Sequence, residues 1–353
     1  MKIVQIVRRY GPVGGMERYV WELTRELHAL GHEVTVVCEV CRAEPPAGIA
    51  VHPTGEMVYR PRWLYYWRFG RRVAKWLRQH PQPGSVIHSN ERVRQHHVTT
   101  FHGPPFATVH DQPWWKLISL RVAMQLFMER RELRQAQHIV PNSPIIAEQL
   151  AHYYPEYAHK LTAPIVPGVA VDVRRPARTV PPRGGVVGFV GYEWPRKGLP
   201  LAVSILAELR KTRPDLQFWV VGPKEDEIRH LFADWPADSY RLLGWRTDNA
   251  HLPEFDVLLH PARAEPYGMV ISEALAAAVP VVISSRCGAK AQVTADNGAV
   301  LALDAPLADW AAAVQQQLDR PDPIPPFARS WQDMAREYVA VYQQVSLPAD
   351  EQQ

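Results

Sequence analysis

Apolar and polar positions along this chain switch between two periods. Residues 3–7 form a short apolar run of the kind a buried strand makes, and Gly11, Pro12, Gly14 and Gly15 break it. Apolar residues then recur at Val20, Leu23, Leu27 and Leu30, which is helical spacing, and Gly31 stops the helix. Residues 34–37 read as the next strand. Strand, loop, helix, strand is the building block of a parallel sheet. The same order returns in the second half. A strand over 185–190 leads to a loop over 191–198, then a helix with Leu201, Ile205, Leu206 and Leu209 on one face, then a strand over 217–221. Strands over 256–260 and 279–283, with a helix after Gly268 between them, continue it.

Between Pro167 and Gly185 the periodicity disappears and Arg, Pro and Gly concentrate. The pattern therefore predicts an α/β chain of two doubly wound, Rossmann-like domains. One covers residues 1–168 and the other 185–326, with a linker over 169–184. A final helical segment over 327–353 is expected to pack back on the first domain. Open parallel sheets bind ligands outside the carboxyl ends of their strands. Two such domains facing each other are expected to enclose a cleft.

Composition narrows the picture slightly. At 353 residues the chain exceeds the usual size of one core, and 46% hydrophobic with 22% charged residues is a globular balance. Three cysteines, Cys38, Cys41 and Cys287, do not make a disulfide framework. Cys38 and Cys41 have CxxC spacing, but no second pair completes a zinc set, so they read as ordinary thiols at a strand end. The first residues are too short and strand-like for a signal peptide, and no run reaches the length of a membrane span. A cytoplasmic protein is expected, with peripheral contact to a membrane allowed.

The candidate chemistry lies at the strand ends. Seven residues separate Glu265 from Glu273 in the run Glu-Pro-Tyr-Gly-Met-Val-Ile-Ser-Glu. Gly268 permits close backbone approach, and Met269, Val270 and Ile271 would offer N–H groups at a helix start, a site for anions and hydroxyls. Glu265 can accept from sugar hydroxyls and Glu273 from a vicinal diol such as a ribose. From physics alone, Glu273 reads equally as a first-turn dipole partner and Glu265 as a surface charge. Arg196 and Lys197, adjacent after a strand, can neutralise a diphosphate, or can be a solvated basic turn. Gly14 and Gly15 open the first helix without a G-x-G-x-x-G spacing, which disfavours a nicotinamide dinucleotide. His102, before Gly103, ends another strand.

These motifs together resemble glycosyltransferase family 4, the retaining GT-B enzymes with an EX7E signature. The resemblance runs over most of the chain. It implies that Glu265 binds donor-sugar hydroxyls, that Glu273 binds the nucleotide ribose, and that Arg196 and Lys197 hold the diphosphate. It implies a place for Gly14 and Gly15 between donor and acceptor, ahead of Met16-Glu17-Arg18, and for His102 beside the donor sugar. Asn142-Ser143 matches a strand end that the family carries before its linker. The resemblance predicts donor binding by the second domain and acceptor binding by the first. The co-substrate would be a nucleotide sugar, a uridine diphosphate sugar first, with guanosine or adenosine diphosphate sugars open. No cofactor or metal is expected, since no Asp-x-Asp motif is present. The expected acceptor is a glycan or glycolipid in envelope polysaccharide or lipopolysaccharide-core assembly. Two alternatives stay open. A nucleotide-sugar epimerase of the same architecture would turn over without acceptor. A non-catalytic nucleotide-sugar or membrane-surface binder would not turn over at all.

Residues 59–78 combine Arg60, Arg62, Arg68, Arg71, Arg72, Arg78 and Lys75 with Trp63, Tyr65, Tyr66, Trp67, Phe69 and Trp76. Such a stretch can lie on an anionic membrane, bind an anionic glycan, or be a packed helix with solvated arginines. Pro113-Trp114-Trp115-Lys116-Leu117, with Arg121, Met124, Phe127 and Met128, could extend that surface. No nucleic-acid motif accompanies it.

Overall fold

The computed structural model describes residues 1–56, 62–170, 173–246, 248–325 and 327–347. Tyr59, Arg60 and Pro61 of the basic aromatic stretch therefore lie outside the described residues. The chain divides into two compact units. Unit 1 holds residues 1–168 and 329–353, and unit 2 holds residues 169–328.

Unit 1 is built on six parallel strands. They are β1 (Lys2–Tyr10), β2 (Glu33–Cys41), β3 (Ala50–Pro53), β4 (Ser85–Ser89), β5 (Val98–Phe101) and β6 (His138–Pro141), in the order β3-β2-β1-β4-β5-β6. The first strand is longer than its apolar run predicts, because register with β2 continues through Arg9 and Tyr10. Four helices follow in this unit: α1 (Gly15–Ala29), α2 (Arg62–Gln79), α3 (Leu120–Gln135) and α4 (Pro144–Tyr153). Ser119 caps α3 by accepting from the Val122 N–H at 3.1 Å, and Ser143 caps α4 ahead of Pro144 at its first position.

Unit 2 repeats the plan with β7 (Val186–Val190), β8 (Gln217–Val221), β9 (Tyr240–Gly244), β10 (Val257–His260), β11 (Val281–Ser284) and β12 (Gly298–Leu301), in the order β12-β11-β10-β7-β8-β9. Its helices are α5 (Trp194–Lys197), α6 (Leu199–Leu209), α7 (Glu225–Ile228), α8 (Met269–Ala276) and α9 (Leu307–Leu318). The stretch 191–198, read from sequence as a loop, contains the turn α5, started by Pro195 and ended by Gly198 at φ +84°. Strands 10 and 11 are buried at every position, as strands covered on both faces must be. Leu206, Leu209, Trp310 and Val314 pack α6 and α9 against one face.

The chain then returns to unit 1 as α10 (Trp331–Gln343), which packs on α1. A capping box starts it: Ser330 accepts from the Asp333 N–H, and Asp333 accepts from the Ser330 N–H, both at 3.0 Å. Its tyrosines satisfy polar groups buried inside the sheet. The Tyr342 hydroxyl lies 2.7 Å from His88 Nδ1 and accepts from the Gln5 amide at 2.9 Å, while the Tyr338 hydroxyl meets Thr100 at 2.7 Å and Tyr19 at 2.9 Å. Gln5, His88 and Thr100 already bond one another across three adjacent strands, at 3.0 and 2.8 Å, and the two hydroxyls extend that buried network to α10.

In each sheet the order reverses once, between β1 and β4 and between β7 and β10. Loops leaving the two strands at such a point diverge and leave a crevice.

Candidate functional site

The candidate residues fall into two sets, one in each unit. In unit 2 they flank the β7/β10 reversal. The loop leaving β7 begins at Gly191, where a side chain would collide with the stem of Lys197. That close approach lets Lys197 cross to the end of β10. There its Nζ stands 3.2 Å from Glu265 Oε2, and Arg196 Nη1 stands 3.6 Å from the same oxygen. Arg196 also donates to Glu193 at 2.6 Å and to the Ala264 carbonyl.

Glu265 is buried. Its backbone is fixed by a parallel bridge to Cys287 and by the Gly288 N–H donating to its carbonyl at 2.9 Å. Burial pushes its carboxyl up, but His260, Lys197 and Arg196 outweigh this and hold it down at about 2. It is a carboxylate at any physiological pH. His260, the last residue of β10, is fully buried with Nε2 3.5 Å from the same oxygen. Burial pulls its imidazole below the usual range despite Glu265, so it is neutral. His260 Nδ1 has no hydrogen-bond partner, and Glu265 Oε2 meets only the two cations and His260 Nε2, at 3.2–3.6 Å. Buried polar atoms in that condition suit a ligand's hydroxyls. Sequence reading missed His260; its only signal was a histidine closing an apolar strand.

Gly268 sits at φ +96°, and a Cβ there would meet Ile271 Cδ1 at 2.8 Å and Glu265 Cγ at 3.1 Å. Only glycine fits this turn while Glu265 lies beside it. Helix α8 then starts at Met269, and the N–H groups of Met269 and Val270 have no acceptor within the helix. The third expected donor is a correction. The Ile271 N–H donates to the Gly268 carbonyl at 2.9 Å, because the left-handed glycine folds its carbonyl under the first turn. Glu273 is buried on α8, one turn beyond. Tyr267, Ser272 and Gln292 join their side chains at 2.5–2.8 Å and pin the loop to the helix. Tyr192 and Trp245, beyond β7 and β9, form an exposed edge-to-face pair with centroids 6.0 Å apart, which sequence reading also missed. Exposed aromatic faces of this kind can stack a planar ring.

In unit 1 Gly14 and Gly15 start α1 after β1. A Cβ on Gly14 would lie 2.5 Å from Glu17 Oε2. The buried Glu17 occupies the first turn and pairs with Arg9, so this helix start already holds an anion. His102 follows β5, its ring edge-on to Tyr19 at 4.8 Å. Its Nε2 is 2.9 Å from Asn90 Oδ1, and Asn90 Nδ2 donates to Gln5 Oε1 at 3.2 Å. This fixes the amide and makes His102 Nε2 the donor. Burial lowers the imidazole to about 3. His102 is thus neutral with Nδ1 left as an acceptor. It lines a pocket of about 350 Å³ with Arg8, Tyr66, Asn90, Arg92 and Arg121. Met16 lines it too. Asn142 donates to the His102 carbonyl at 3.4 Å, and Ser143 serves as the cap of α4.

The thiols of Cys38, Cys41 and Cys287 are unbridged, and no cluster of three metal-ligating side chains occurs among the described residues.

Residues 13–173 match the family model described as Glycosyltransferase Family 4, and residues 184–320 match the one described as Glycosyl transferases group 1. The chain is similar to a D-inositol 3-phosphate glycosyltransferase of Arthrobacter sp. (strain FB24), at 27% identity covering 88% of this chain and 83% of that protein. Among solved structures it is similar to WaaG, a glycosyltransferase involved in lipopolysaccharide biosynthesis, with TM-score 0.75, 18% identity and coverage of 98% and 97%. It is similar also to HepE of Anabaena in complex with UDP-glucose, with TM-score 0.64, 17% identity and 98% coverage of each chain. Two six-stranded parallel sheets with these neighbours are the GT-B fold. The chain belongs to the glycosyltransferases of that fold, with a Family 4 region followed by a group 1 region.

Proposed function

We propose that this protein is a retaining glycosyltransferase. It takes a sugar from a nucleoside-diphosphate donor, a UDP-sugar first, and passes it to a glycan or glycolipid of the cell envelope. The observation that carries the reading is the ionised, buried Glu265 held between Lys197, Arg196 and neutral His260 beside the start of α8. In the free protein the carboxylate and the two cations satisfy one another. A bound donor lets them exchange partners: the cations turn to the diphosphate, and Glu265 accepts from sugar hydroxyls. The ribose diol goes to Glu273. Developing charge on the leaving diphosphate meets Arg196, Lys197 and the N–H groups of Met269 and Val270, already in place before reaction. In this reading those groups do the work of a divalent ion. Neutral His102 accepts a hydrogen bond from a sugar hydroxyl at Nδ1 and so orients the sugar.

A uridine donor is supported by the UDP-glucose complex of HepE, and an envelope role by the WaaG likeness. A glycolipid acceptor places the enzyme on the cytoplasmic face of a membrane. No helix among the described residues is long and apolar enough to cross one. Cations for such contact stand exposed on α2 at Arg68, Arg71, Arg72 and Lys75.

The test is a thermal-shift screen of nucleoside diphosphates and their sugars, where a ligand at 100 times its Kd adds about 2.7 kcal/mol. It is followed by product analysis with acceptor panels. Glu265→Gln should lower transfer on the order of 100-fold. Wild-type turnover in that variant, or an isomerised nucleotide sugar formed without acceptor, would overturn the reading.

A further inference from the structure

Exposed large apolar side chains concentrate in one short segment of unit 1. Trp114, Trp115, Ile118, Leu120 and Phe127 are each more than half exposed, from 55% at Phe127 to 71% at Ile118. The segment is held in shape by its backbone. The Lys116 N–H donates to the Pro113 carbonyl at 2.9 Å, the Leu117 N–H to Trp114 at 3.0 Å, and Ser119 caps the helix that follows. On α3, Leu120 and Phe127 are seven residues apart and share a face, while Val122, Gln125, Glu129, Glu132 and Leu133 turn inward. A fixed apolar patch of this kind on a chain's surface marks an interaction site.

The charges beside it choose the partner. Lys116, Arg121, Arg130 and Arg134 are exposed along the same segment. Its two carboxylates, Glu129 and Glu132, are buried, the first paired with Arg92 and the second accepting from Thr99. The outward side is therefore apolar and cationic with no anion of its own segment. Indoles at a turn, aliphatic side chains beside them and a cationic border match the boundary between acyl chains and anionic headgroups.

By contrast, α2 turns Tyr65, Phe69, Val73 and Leu77 into the core. Tyr66 carries the Arg8 guanidinium on its face at 4.6 Å, and Trp67 carries that of Arg71 at 4.8 Å. Phe127 likewise carries Arg131 at 5.7 Å but stays more than half exposed, whereas every aromatic of α2 is buried or half-buried, so what α2 offers outward is charge.

We infer that residues 113–134 form a membrane-docking surface: Trp114, Trp115, Ile118, Leu120 and Phe127 enter the interface of an anionic bilayer, and the cations of the segment hold its headgroups. This rests on the peripheral-membrane part of the proposed function, and the donor reading fails separately from it.

The experiment is co-sedimentation of the full chain with phosphatidylcholine vesicles, with and without phosphatidylglycerol, alongside thermal shift with UDP. Binding is expected only with phosphatidylglycerol and should weaken with salt. Trp114→Ser with Trp115→Ser should lower partition about tenfold and leave the UDP response unchanged. Arg68→Ser with Arg71→Ser and Arg72→Ser should lower it less. Unchanged vesicle binding in the tryptophan variant overturns the inference. So does a larger loss in the α2 variant, or a wild-type dimer in sedimentation velocity that the tryptophan variant dissolves. Loss of the UDP response with vesicle binding intact overturns the donor site alone.

Discussion

Among the described helices that open on glycine, α1 and α8 have N-termini prepared in opposite ways. Helix α1 starts behind Gly14, and its third residue is Glu17, buried and tied to Arg9. Helix α8 starts behind Gly268, and its third residue is Ile271, with no acid in the first turn. The carboxylate near α8 is Glu265, which belongs to the preceding loop and is neutralised from the β7 side by Lys197 and Arg196. A helix start that carries its own anion has little field left for another; α8 keeps its field for a ligand. The same pattern of glycine before a helix thus has two meanings, decided three positions further on. In the proposed function the donor diphosphate therefore goes to the α8 side, while the Gly14-Gly15 turn places Glu17 at the start of α1.

The largest effect that tests this contrast comes from Arg196→Ala with Lys197→Ala. Two charge-assisted contacts at about 1.5–3 kcal/mol each predict at least a 100-fold weaker UDP affinity by calorimetry. Unchanged affinity would move the diphosphate elsewhere, α1 included. Next comes Gly268→Ala, which forces alanine to φ +96° against Ile271 and Glu265. It should cost about 1–2 kcal/mol in chemical denaturation and weaken UDP about tenfold. The pH response is smaller. Glu265 has its carboxyl depressed to about 2, so the stability contributed by its ionised form is present above its unfolded value of about 4.3 and is lost as pH falls through about 2. The stability difference between wild type and Glu265→Gln should therefore hold steady from pH 7 to about 5 and change only in stronger acid. A change centred near pH 6.5 would implicate an imidazole, against the lowered values of His260 and His102. The smallest expected effect is Glu17→Gln. It should cost about 0.5–1 kcal/mol of stability and leave UDP affinity within about twofold. A tenfold loss would erase the distinction between the two helix starts.

Much of this architecture was legible because parallel strands covered on both faces leave apolar runs, as at residues 257–259, and because glycines punctuate the turns. Two such series in tandem implied two doubly wound domains, and the resemblance carried by the motifs implied the GT-B fold. The candidate residues at strand ends were legible for the same reason: Glu265, Arg196 and Lys197 lie where apolar runs stop. What sequence could not carry was contact over distance. Nothing local told that Lys197 reaches Glu265, that His260 abuts it, or that Ile271 spends its N–H on Gly268. The aromatic stretch was ambiguous because its period fits a packed helix and a surface helix equally, and only tertiary packing turned Tyr65 and Phe69 inward.

The return of the chain as α10 sets an order of events during synthesis. Gly168 lies tightly against Ser330 and Trp331, and Arg329 donates to the Val166 carbonyl at 2.8 Å. The whole of unit 2 is thus an insertion between two neighbouring points of unit 1. A nascent chain has made all six strands of the first sheet long before Tyr338 and Tyr342 leave the ribosome. Until then Gln5, His88 and Thr100 lack the hydroxyls that complete their network. Unit 2, whose segments are contiguous, has no such wait. Interrupted translation should therefore yield a finished second half attached to an unfinished first half, a species marked for proteolysis by its own exposed strands.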